Sequence, residues 1–320
     1  YDIQLMLYIH VTDGMDFSPE DQSATGWNDP TDGFRVWNNY VNDVVAEMGH
    51  RYGDGVAGYW VDMVFSDTFH EKIDKARLRA SLLAGNPSRI VVGNGGYGDG
   101  PILNDDVVTD FVSKEMFNIP QENSDWLAAD NQIATVATIN GNDPYYCWWA
   151  TVPQGSRALM YTPEDMFRFT VLEAGVNRGG GGMLWAAGNY AGFGALWEDG
   201  VKEGFTKLGS YINAVSESLK NVYPSTSYVR KSGTTLKGLK DGIVATKSAN
   251  DRFEYIHVLF PPHGNELALP TPSDGKWFGN GVNMNTGRAV AVSQDASGVT
   301  IAKSGSDVWD SLDTVIRLEV

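Results

Sequence analysis

Residues 58–65, Gly-Tyr-Trp-Val-Asp-Met-Val-Phe, form an apolar run that contains a single carboxylate, Asp62. Aromatic and β-branched residues bounded by Gly, Ser and Asp are typical of a β-strand. The near-continuous apolar character predicts a strand buried on both faces, as in a parallel sheet covered by helices. A buried carboxylate must be paired or used. Asp62 therefore caps the following helix or pairs with a nearby Arg, or it is a catalytic or ligand-binding carboxylate, which the sequence favours.

The chain before Tyr223 alternates between strand and helix patterns. Short apolar runs predict strands over residues 5–11, 58–65, 89–94, 132–139 and 183–188. Apolar residues spaced by three and four predict helices over residues 34–52, 69–84, 162–176 and 199–219. Residues 104–130 show neither pattern and are predicted to form a long loop, which in compact domains is usually functional or disordered. The alternation is typical of parallel β/α units.

Beyond Pro224 the pattern changes to short strands separated by turns. Strands are predicted over residues 242–246, 253–260, 281–284, 289–293, 299–302 and 314–320. Along residues 253–259 two sets of side chains alternate in the manner of a β-sandwich strand. The sequence therefore predicts an α/β fold class. It has a (β/α)8-like TIM barrel over residues 1–226, which need not be complete within this chain, and a C-terminal β-sandwich over residues 227–320.

The composition excludes several classes of partner. Hydrophobic residues make up 42% of the 320 residues, which is enough for a substantial core, and the formal net charge is −16. An acidic chain lacks the basic surface that nucleic acids and anionic membranes require. No apolar run reaches about 18 residues, so no membrane-spanning helix is expected. The single cysteine, Cys147, cannot form an intrachain disulfide.

Polar and aromatic residues follow the predicted strands at the edge where a β/α barrel carries its active site. These candidate site residues are His10, Asp13, Trp60, Asp62, Asn94, Tyr145, Tyr146 and Trp185. The glycine cluster at residues 93–96 lacks the Lys and the Ser or Thr of a phosphate-binding loop. Neither a His-Glu-x-x-His motif nor a paired-cysteine motif is present, so no metal ion or organic cofactor is expected. No Gly-x-Ser-x-Gly motif supports a serine hydrolase.

Carboxylates, amides and aromatic rings in this arrangement suit sugar chemistry. A glycosidase needs two carboxyl groups, one that attacks or stabilises and one that donates a proton. Asp62 is the better placed first group, and Glu122 and Glu115 in the predicted loop are candidates for the second. Glu122 lies near Trp126, and apolar neighbours suit a carboxyl group to act as an acid, although a solvated loop acid is the alternative. The aromatic residues that would stack on sugar faces, where they are not core residues, are Tyr145, Tyr146, Trp148, Trp149 and Trp185.

The assembled segments resemble family 29 of the glycoside hydrolases, the α-L-fucosidases. Residues 59–63, Tyr-Trp-Val-Asp-Met, are similar to the family's strand Trp-Phe-Asp-Gly, whose Asp is the nucleophile. Residues 133–139 and the aromatic segment after them are similar to the family's Trp-Glu-x-Cys-x-Thr-Ile strand and its sequel. Residues 178–185 are similar to Lys-Gly-Gly-Asn-Leu-Leu-Leu-Asn, and residues 221–225 to the exit from the barrel into a β-sandwich. The resemblance covers most of the chain in order.

The resemblance implies a retaining, exo-acting glycosidase that removes terminal α-L-fucosyl or related residues from glycans through a covalent glycosyl-enzyme. Asp62 would be the nucleophile, and Glu122 or, second, Glu115 would be the acid/base. The pocket would be lined by His10, Trp60, Asn94 and Trp185. The expected partner is an oligo- or polysaccharide, and an extracellular or periplasmic location follows only from where polysaccharides occur. An oligomer is compatible with the sequence.

Three departures from the family pattern keep a second hypothesis open. Ala134 stands where many members carry the Glu of Trp-Glu, and Met63 replaces the usual Gly after the nucleophile. Residues 7–10, Leu-Tyr-Ile-His, are similar to the family's third barrel strand, so its first strands have no counterpart. Either upstream residues are missing, or the barrel is completed differently. The alternatives are a catalytically inactive, glycan-binding or structural relative and an unrelated β/α-barrel hydrolase in which Asp62 is a base.

Overall fold

The computed structural model describes residues 3–97, 103, 105–116, 132–138, 162–176, 183–186, 200–230 and 238–320. The chain divides into two compact units, Tyr1–Glu115 and Met116–Val320. Among the residues described, none of the helices has the length and apolar character needed to cross a bilayer.

The N-terminal unit is built on a parallel sheet. Its strands are β1 (Met6–Ile9), β2 (Gly58–Val61), β3 (Ile90–Tyr97) and β4 (Phe111–Met116). They lie side by side in chain order, and neighbouring strands are parallel. The connecting helices are α1 (Pro19–Thr25), α2 (Arg35–Tyr52), α3 (Asp67–Lys72) and α4 (Lys75–Leu82). The predicted parallel β/α organisation is confirmed for this unit.

Strand β2 lies inside the core of this unit, which explains its apolar sequence. Tyr59 and Val61 are fully buried and pack in one cluster with Val91 of β3 and with Trp37 of α2. The strand ends at Val61, earlier than the predicted 58–65, so Asp62 is the first residue beyond it. The carboxylate therefore lies at the rim of the core rather than within the strand.

The region predicted as one helix over residues 69–84 is two helices, α3 and α4. The single-helix prediction is wrong because residues between them cap a new helix start. Ile73 is extended, and the Asp74 side chain accepts a hydrogen bond from the backbone N–H of Arg77 at 3.1 Å. A side-chain acceptor at this position satisfies an N–H group that has no partner within the helix.

Helix α2 has a wider apolar face than the unit covers. Three of its apolar residues, one turn apart, are buried in the core: Trp37, Val41 and Val45. The adjacent stripe is 36–39% exposed and consists of Val36, Tyr40 and Val44. Periodicity alone predicts both stripes equally well, because it reports the helix and not the neighbours that pack on it.

The predicted loop over residues 104–130 contains strand β4, so the prediction of an irregular segment is wrong for Phe111–Met116. Lys114 and Glu115 interrupt the apolar pattern of this strand, which hides it from a search for apolar runs. Pairing with β3 forms the strand regardless, with Asn94 in register with Ser113.

The C-terminal unit begins with parallel pairing and continues as an antiparallel sheet. Strands β5 (Gln132–Thr138) and β6 (Met183–Ala186) are parallel, and the helices are α5 (Pro163–Val176) and α6 (Val201–Ala214). Thr162 caps α5, and its hydroxyl accepts a hydrogen bond from the Asp165 N–H at 3.1 Å. The prediction of a helix that ends near residue 219 is too long, since α6 stops at Ala214.

The β-rich part of this unit is an antiparallel sheet of eight described strands. They are β7 (Val222–Pro224), β8 (Ile243–Ser248), β9 (Phe253–Val258), β10 (Glu266–Leu269), β11 (Gly281–Asn283), β12 (Arg288–Asp295), β13 (Gly298–Ala302) and β14 (Thr314–Glu319). Their order is β10-β13-β12-β11-β14-β9-β8-β7. The predicted strands are all present, and β7 and β10 are additional.

Both faces of the central strands are buried. Tyr255 of β9 and Val315 of β14 pack with Phe167 of α5. On the other face, Ile256 shares a core with Ile301 of β13, which lies near the far edge of the sheet. A single sheet brings such distant strands into one core by curling. The described fold is therefore an α/β part followed by a β-rich part, and no closed eight-stranded parallel barrel lies within it.

The boundary between residues 226 and 227 stays a prediction. Strand β7, which precedes this boundary, already pairs with β8 in the antiparallel sheet. The helical and β-rich parts of the C-terminal unit also share one hydrophobic core.

Candidate active site

The parallel strands bring a set of polar and aromatic side chains to the carboxyl-terminal edge of the N-terminal sheet. Residues 6–9 of β1 pair in register with residues 58–61 of β2, so Tyr8 lies beside Trp60. Asp62 directly follows β2, and Asn94 lies on β3 next to a break in the register. This edge is where parallel α/β sheets bind their ligands.

Asp62 is half-buried and accepts three hydrogen bonds. The Tyr8 hydroxyl donates to Oδ2 at 2.6 Å, and the Asn94 side-chain amide donates to Oδ1 at 2.9 Å. The backbone N–H of Met63 also donates to Oδ1, at 2.7 Å. An ionised carboxylate only accepts hydrogen bonds, so three donors suit its charged form and fix the direction of both oxygens.

The turn after Asp62 has a backbone conformation that residues other than glycine rarely adopt. Met63 has φ +62°, in the left-handed region where glycine is favoured. Its carbonyl accepts hydrogen bonds from the Ser66 hydroxyl at 2.8 Å and from the Ser66 N–H at 2.9 Å. The Ser66 hydroxyl in turn accepts from the Phe69 N–H and caps α3. The turn therefore directs the Met63 N–H towards the Asp62 carboxylate.

An aromatic pair flanks the carboxylate. The rings of Tyr8 and Trp60 are stacked, with centroids 5.4 Å apart and an angle of 22° between their planes. Trp60 is half-buried, and Tyr8 is 43% exposed. The Trp60 indole N–H donates to the hydroxyl of Ser113 at 2.7 Å, and this hydrogen bond fixes the position of the ring. Partly exposed aromatic faces beside a carboxylate are suited to a sugar ring.

A buried lysine holds the segment between α1 and α2 in place. Lys72 is 8% exposed, and its ammonium donates to the Trp27 carbonyl at 3.0 Å and to Asn28 Oδ1 at 3.2 Å. The ammonium also lies 5.1 Å from the centroid of the Trp27 ring. Burial lowers the pKa of Lys72, and the charge of Asp13 opposes that shift. The Trp27 indole N–H donates to the Thr12 carbonyl at 3.0 Å, which links this segment to the loop that carries His10 and Asp13.

Four of the predicted site residues, Trp60, Asn94, His10 and Asp13, lie near the same strand ends as Asp62. Only Asn94 is bonded to the carboxylate, and Trp60 reaches it through Tyr8. His10 Nδ1 lies 3.4 Å from the Thr12 hydroxyl, and exposed Asp13 accepts from the Met15 N–H at 2.8 Å. The hydrogen bonds of His10 and Asp13 are thus local to the loop.

The remaining predicted residues are described in part or not at all. The backbone of Glu115 lies in β4, opposite Tyr97, and the backbone of Trp185 lies in β6, opposite Ala137. Other predicted residues lie outside the described residues: Glu122, Tyr145, Tyr146, Trp148 and Trp149. The choice between Glu122 and Glu115 as proton donor therefore stays a prediction.

Two residues of the site were missed by the sequence analysis: Tyr8 and Ser113. Tyr8 stands two residues before His10, just as Trp60 stands two residues before Asp62. Aligning the ends of parallel strands would have placed Tyr8 beside Trp60. Ser113 had no such signal, because its strand was predicted as loop.

The chemistry available at the described site is that of a fixed carboxylate. No cluster of three or more His, Cys, Asp or Glu side chains with metal-binding geometry occurs among the described residues. The Asp62 oxygens face donors that hold them without neutralising their charge. Such a group can attack an electrophilic carbon, stabilise a developing cation or accept a proton.

Comparison with known proteins gives similar structures only. Neither a protein-family model nor a curated protein sequence matches the chain. A GH29 α-L-fucosidase from Bacteroides thetaiotaomicron, trapped as a covalent intermediate with 2-fluoro-fucosyl fluoride, has a TM-score of 0.68 and 17% identity. That match covers 99% of this chain and 68% of the fucosidase.

Two further fucosidases show the same relationship. Isoenzyme 1 from Paenibacillus thiaminolyticus has a TM-score of 0.65 and 16% identity, and the match covers 98% of this chain and 70% of the other. The Thermotoga maritima α-fucosidase has a TM-score of 0.55 and 15% identity, with coverage of 94% and 59%. Identities this low report on the fold alone. The chain therefore has the fold of the GH29 α-L-fucosidases over nearly its whole length, and the resemblance seen in the sequence is confirmed at the level of fold.

Proposed function

We propose that the protein is a retaining, exo-acting glycoside hydrolase that removes terminal α-L-fucosyl or related residues from glycans. The observation that carries this proposal is the Asp62 carboxylate, which three donors hold at the carboxyl-terminal edge of a parallel sheet beside stacked aromatic rings. The same position matches the nucleophile in the family pattern. Fucosidases of similar fold, one of them trapped as a covalent intermediate, support the substrate class.

In the proposed reaction, an Asp62 oxygen attacks the anomeric carbon while the bond to the leaving oxygen breaks. Glu122 or Glu115 donates a proton to that oxygen, so the aglycone leaves as a neutral alcohol. The product is a glycosyl ester of Asp62. The same acid, now ionised, removes a proton from water, which attacks the anomeric carbon and releases the sugar and the Asp62 carboxylate.

The neighbours of Asp62 have complementary roles in this cycle. The hydrogen bonds from Tyr8 and Asn94 stabilise the carboxylate in the free enzyme and again as it leaves the ester. They also hold its oxygens in one orientation, so that little freedom is lost when the reaction begins. Trp60 stacks on Tyr8 and presents an aromatic face beside the same carboxylate.

Two further parts of the proposal concern fold and location. Residues 1–226 would belong to a (β/α)8-like barrel, followed by a β-sandwich over residues 227–320. The parallel order of β1 to β4 and the fold of the fucosidases support the barrel. An oligo- or polysaccharide substrate would place the protein outside the cell or in the periplasm.

The direct test is hydrolysis of 4-nitrophenyl α-L-fucoside by the wild type and by Asp62→Asn. We expect the variant to lose at least about 1,000-fold in kcat, because the amide cannot act as a nucleophile. Asp67→Asn, an exposed residue at the start of α3, is the matched control and should keep full activity. Incubation with 2-fluoro-fucosyl fluoride should add one sugar mass to the peptide that contains Asp62. Equal rates for Asp62→Asn and wild type would refute the assignment.

The alternative function is an inactive, glycan-binding relative. It is favoured by Ala134, which stands where many family members carry a glutamate. Calorimetry with L-fucose and fucosylated oligosaccharides distinguishes the two functions. Saturable binding with no turnover by the wild type would support the alternative, whereas turnover that depends on Asp62 excludes it.

A further inference from the structure

We propose that Ser113 is a positioning residue that orients the Asp62 carboxylate by two routes. One route passes through Trp60 and Tyr8 to Oδ2, and the other passes through the backbone before Asn94 to Oδ1. The inference rests on the proposed role of Asp62 as nucleophile. Ser113 does not touch the carboxylate itself. It lies on β4, is fully buried, and belongs to none of the sequence motifs.

The first route runs across three strands. The Trp60 indole N–H donates to the Ser113 hydroxyl at 2.7 Å, and this bond fixes the plane of the indole ring. Tyr8 stacks on that ring, with centroids 5.4 Å apart and an angle of 22° between the ring planes. The Tyr8 hydroxyl then donates to Asp62 Oδ2 at 2.6 Å. A change in the direction of the indole ring is therefore transmitted to the phenol and to one oxygen of the carboxylate.

The second route runs along β3. The Ser113 hydroxyl lies 3.4 Å from the Gly93 carbonyl oxygen, and Ser113 is in register with Asn94. Asn94 is 1% exposed; its amide nitrogen donates to Asp62 Oδ1 at 2.9 Å, and its oxygen accepts from the Gly96 N–H at 3.1 Å. The backbone before Asn94 is closely packed, since a Cβ at Gly93 would lie 2.8 Å from a Val64 methyl carbon. The serine hydroxyl thus contacts the strand that carries the second donor.

The chemistry at residue 113 calls for a hydroxyl group. A hydroxyl accepts from the indole N–H and donates to the Gly93 carbonyl at the same time. Alanine or valine would leave the Trp60 N–H without this acceptor in a partly buried site, and the ring would turn to find another partner. Threonine keeps the hydroxyl and has nearly the shape of valine. The pair Ser113→Thr and Ser113→Val therefore separates the hydroxyl from the volume.

A purely structural role for Ser113 makes a different prediction. If the hydroxyl only satisfies buried groups, its loss lowers stability but leaves the folded enzyme equally active. If it orients Asp62, its loss lowers kcat in protein that is fully folded. Positioning affects the reaction more than binding, so KM should change little.

The kinetic test measures kcat and KM for 4-nitrophenyl α-L-fucoside. We expect Ser113→Val to lower kcat about tenfold with KM within about twofold, and Ser113→Thr to restore most of the rate. In a Tyr8→Phe background, which removes the phenol bond to Asp62, the effect of Ser113→Val should shrink to about threefold or less, because one route is already broken. Equal kcat for Ser113→Val and the wild type, or equal losses in both backgrounds, would overturn the inference.

A second measurement needs no turnover and so separates this inference from the proposed function. In protein labelled with ¹⁵N-tryptophan and 3-fluorotyrosine, the Trp60 indole and Tyr8 ring signals are assigned by Trp60→Phe and Tyr8→Phe. Ser113→Val should move both signals, and Ser113→Thr should leave both near their wild-type positions. If both move as expected in a protein without fucosidase activity, the positioning role stands and the proposed function fails. If the Tyr8 signal does not move, the transmission from Ser113 is refuted, whatever the activity.

Discussion

Arg89 is a buried charge that joins several backbone segments of the N-terminal unit. Its side chain is 3% exposed, and its guanidinium donates five hydrogen bonds, none of them to a carboxylate. The acceptors are the backbone carbonyls of Gly49, Gly53, Val56, Leu82 and Ala84. Four of these carbonyls lie at the carboxyl-terminal ends of α2 and α4. The carbonyl groups of a helix's last turn lack hydrogen-bond partners within the helix and carry a partial negative charge.

The cost of removing this group can be worked out for Arg89→Met. Methionine keeps much of the apolar stem and removes all five donors. Each hydrogen bond to a charged group contributes about 1.5–3 kcal/mol, but the desolvation of the guanidinium offsets much of the sum. The substitution leaves several of the five carbonyl groups without a partner, at about 1–3 kcal/mol for each buried group, and we expect a net loss of about 3–5 kcal/mol. Arg89→Lys keeps the charge with three donors and should lose roughly half as much.

The assay is urea unfolding, with hydrogen exchange of the α2 and α4 amides to localise the effect. Arg51→Met is the matched control: Arg51 is 63% exposed, pairs with Glu47 one turn away, and should change stability by less than about 0.5 kcal/mol. Faster exchange at the ends of both helices in Arg89→Met would confirm that one guanidinium joins them. If Arg89→Met and Arg51→Met lose the same free energy, the buried guanidinium is not the stabilising element.

Two more outcomes follow from burial and charge. Val45→Ala should lower the free energy of unfolding by about 2 kcal/mol, because Val45 is buried in the core. Val44→Ala, one residue away on α2 but 39% exposed, should lower it by less than about 1 kcal/mol. Equal losses in urea unfolding would contradict the difference in burial between the two stripes. Hydrogen bonds from Lys207 and Tyr211 lower the pKa of Glu164 to about 2, below its ordinary value of 4.5. The ionised Glu164 therefore stabilises the folded state fully above pH 4.5, and this contribution is lost as the pH falls towards 2. The difference in the free energy of unfolding between wild type and Glu164→Gln should shrink over that interval. A difference that is constant with pH would contradict the ion pair.

The sequence predicts those parts of the site that depend on one strand at a time. Apolar periodicity locates β2, and the position of Asp62 at its end follows directly. Asn94 was predicted for the same reason, and the structure places it 2.9 Å from the carboxylate. These predictions succeed because parallel strands align their carboxyl ends at one edge, which holds without knowledge of the exact register.

The parts that depend on the neighbours of a strand require the pairing between strands as well. Tyr8 contacts Asp62 only because β1 and β2 pair in a particular register, which pairs Tyr8 with Trp60. Ser113 lies on a strand whose Lys114 and Glu115 conceal the apolar pattern. A serine in a predicted loop is expected to be exposed, so its burial and its hydrogen bond with Trp60 are not predicted. Contacts between side chains on different strands depend on the register of strand pairing, which the sequence of a single segment does not determine.

Met63 shows how a departure from a family pattern acquires a physical meaning. The pattern has glycine after the nucleophile, and the structure places Met63 at φ +62°, where a side chain costs about 1–2 kcal/mol relative to the ordinary backbone regions. The conformation persists because it closes the turn onto Ser66 and directs the Met63 N–H to Asp62 at 2.7 Å. Relaxing the backbone at Met63 would therefore remove a donor from the carboxylate. The strain beside Asp62 is the energetic consequence of keeping that carboxylate in a fixed direction with a residue other than glycine.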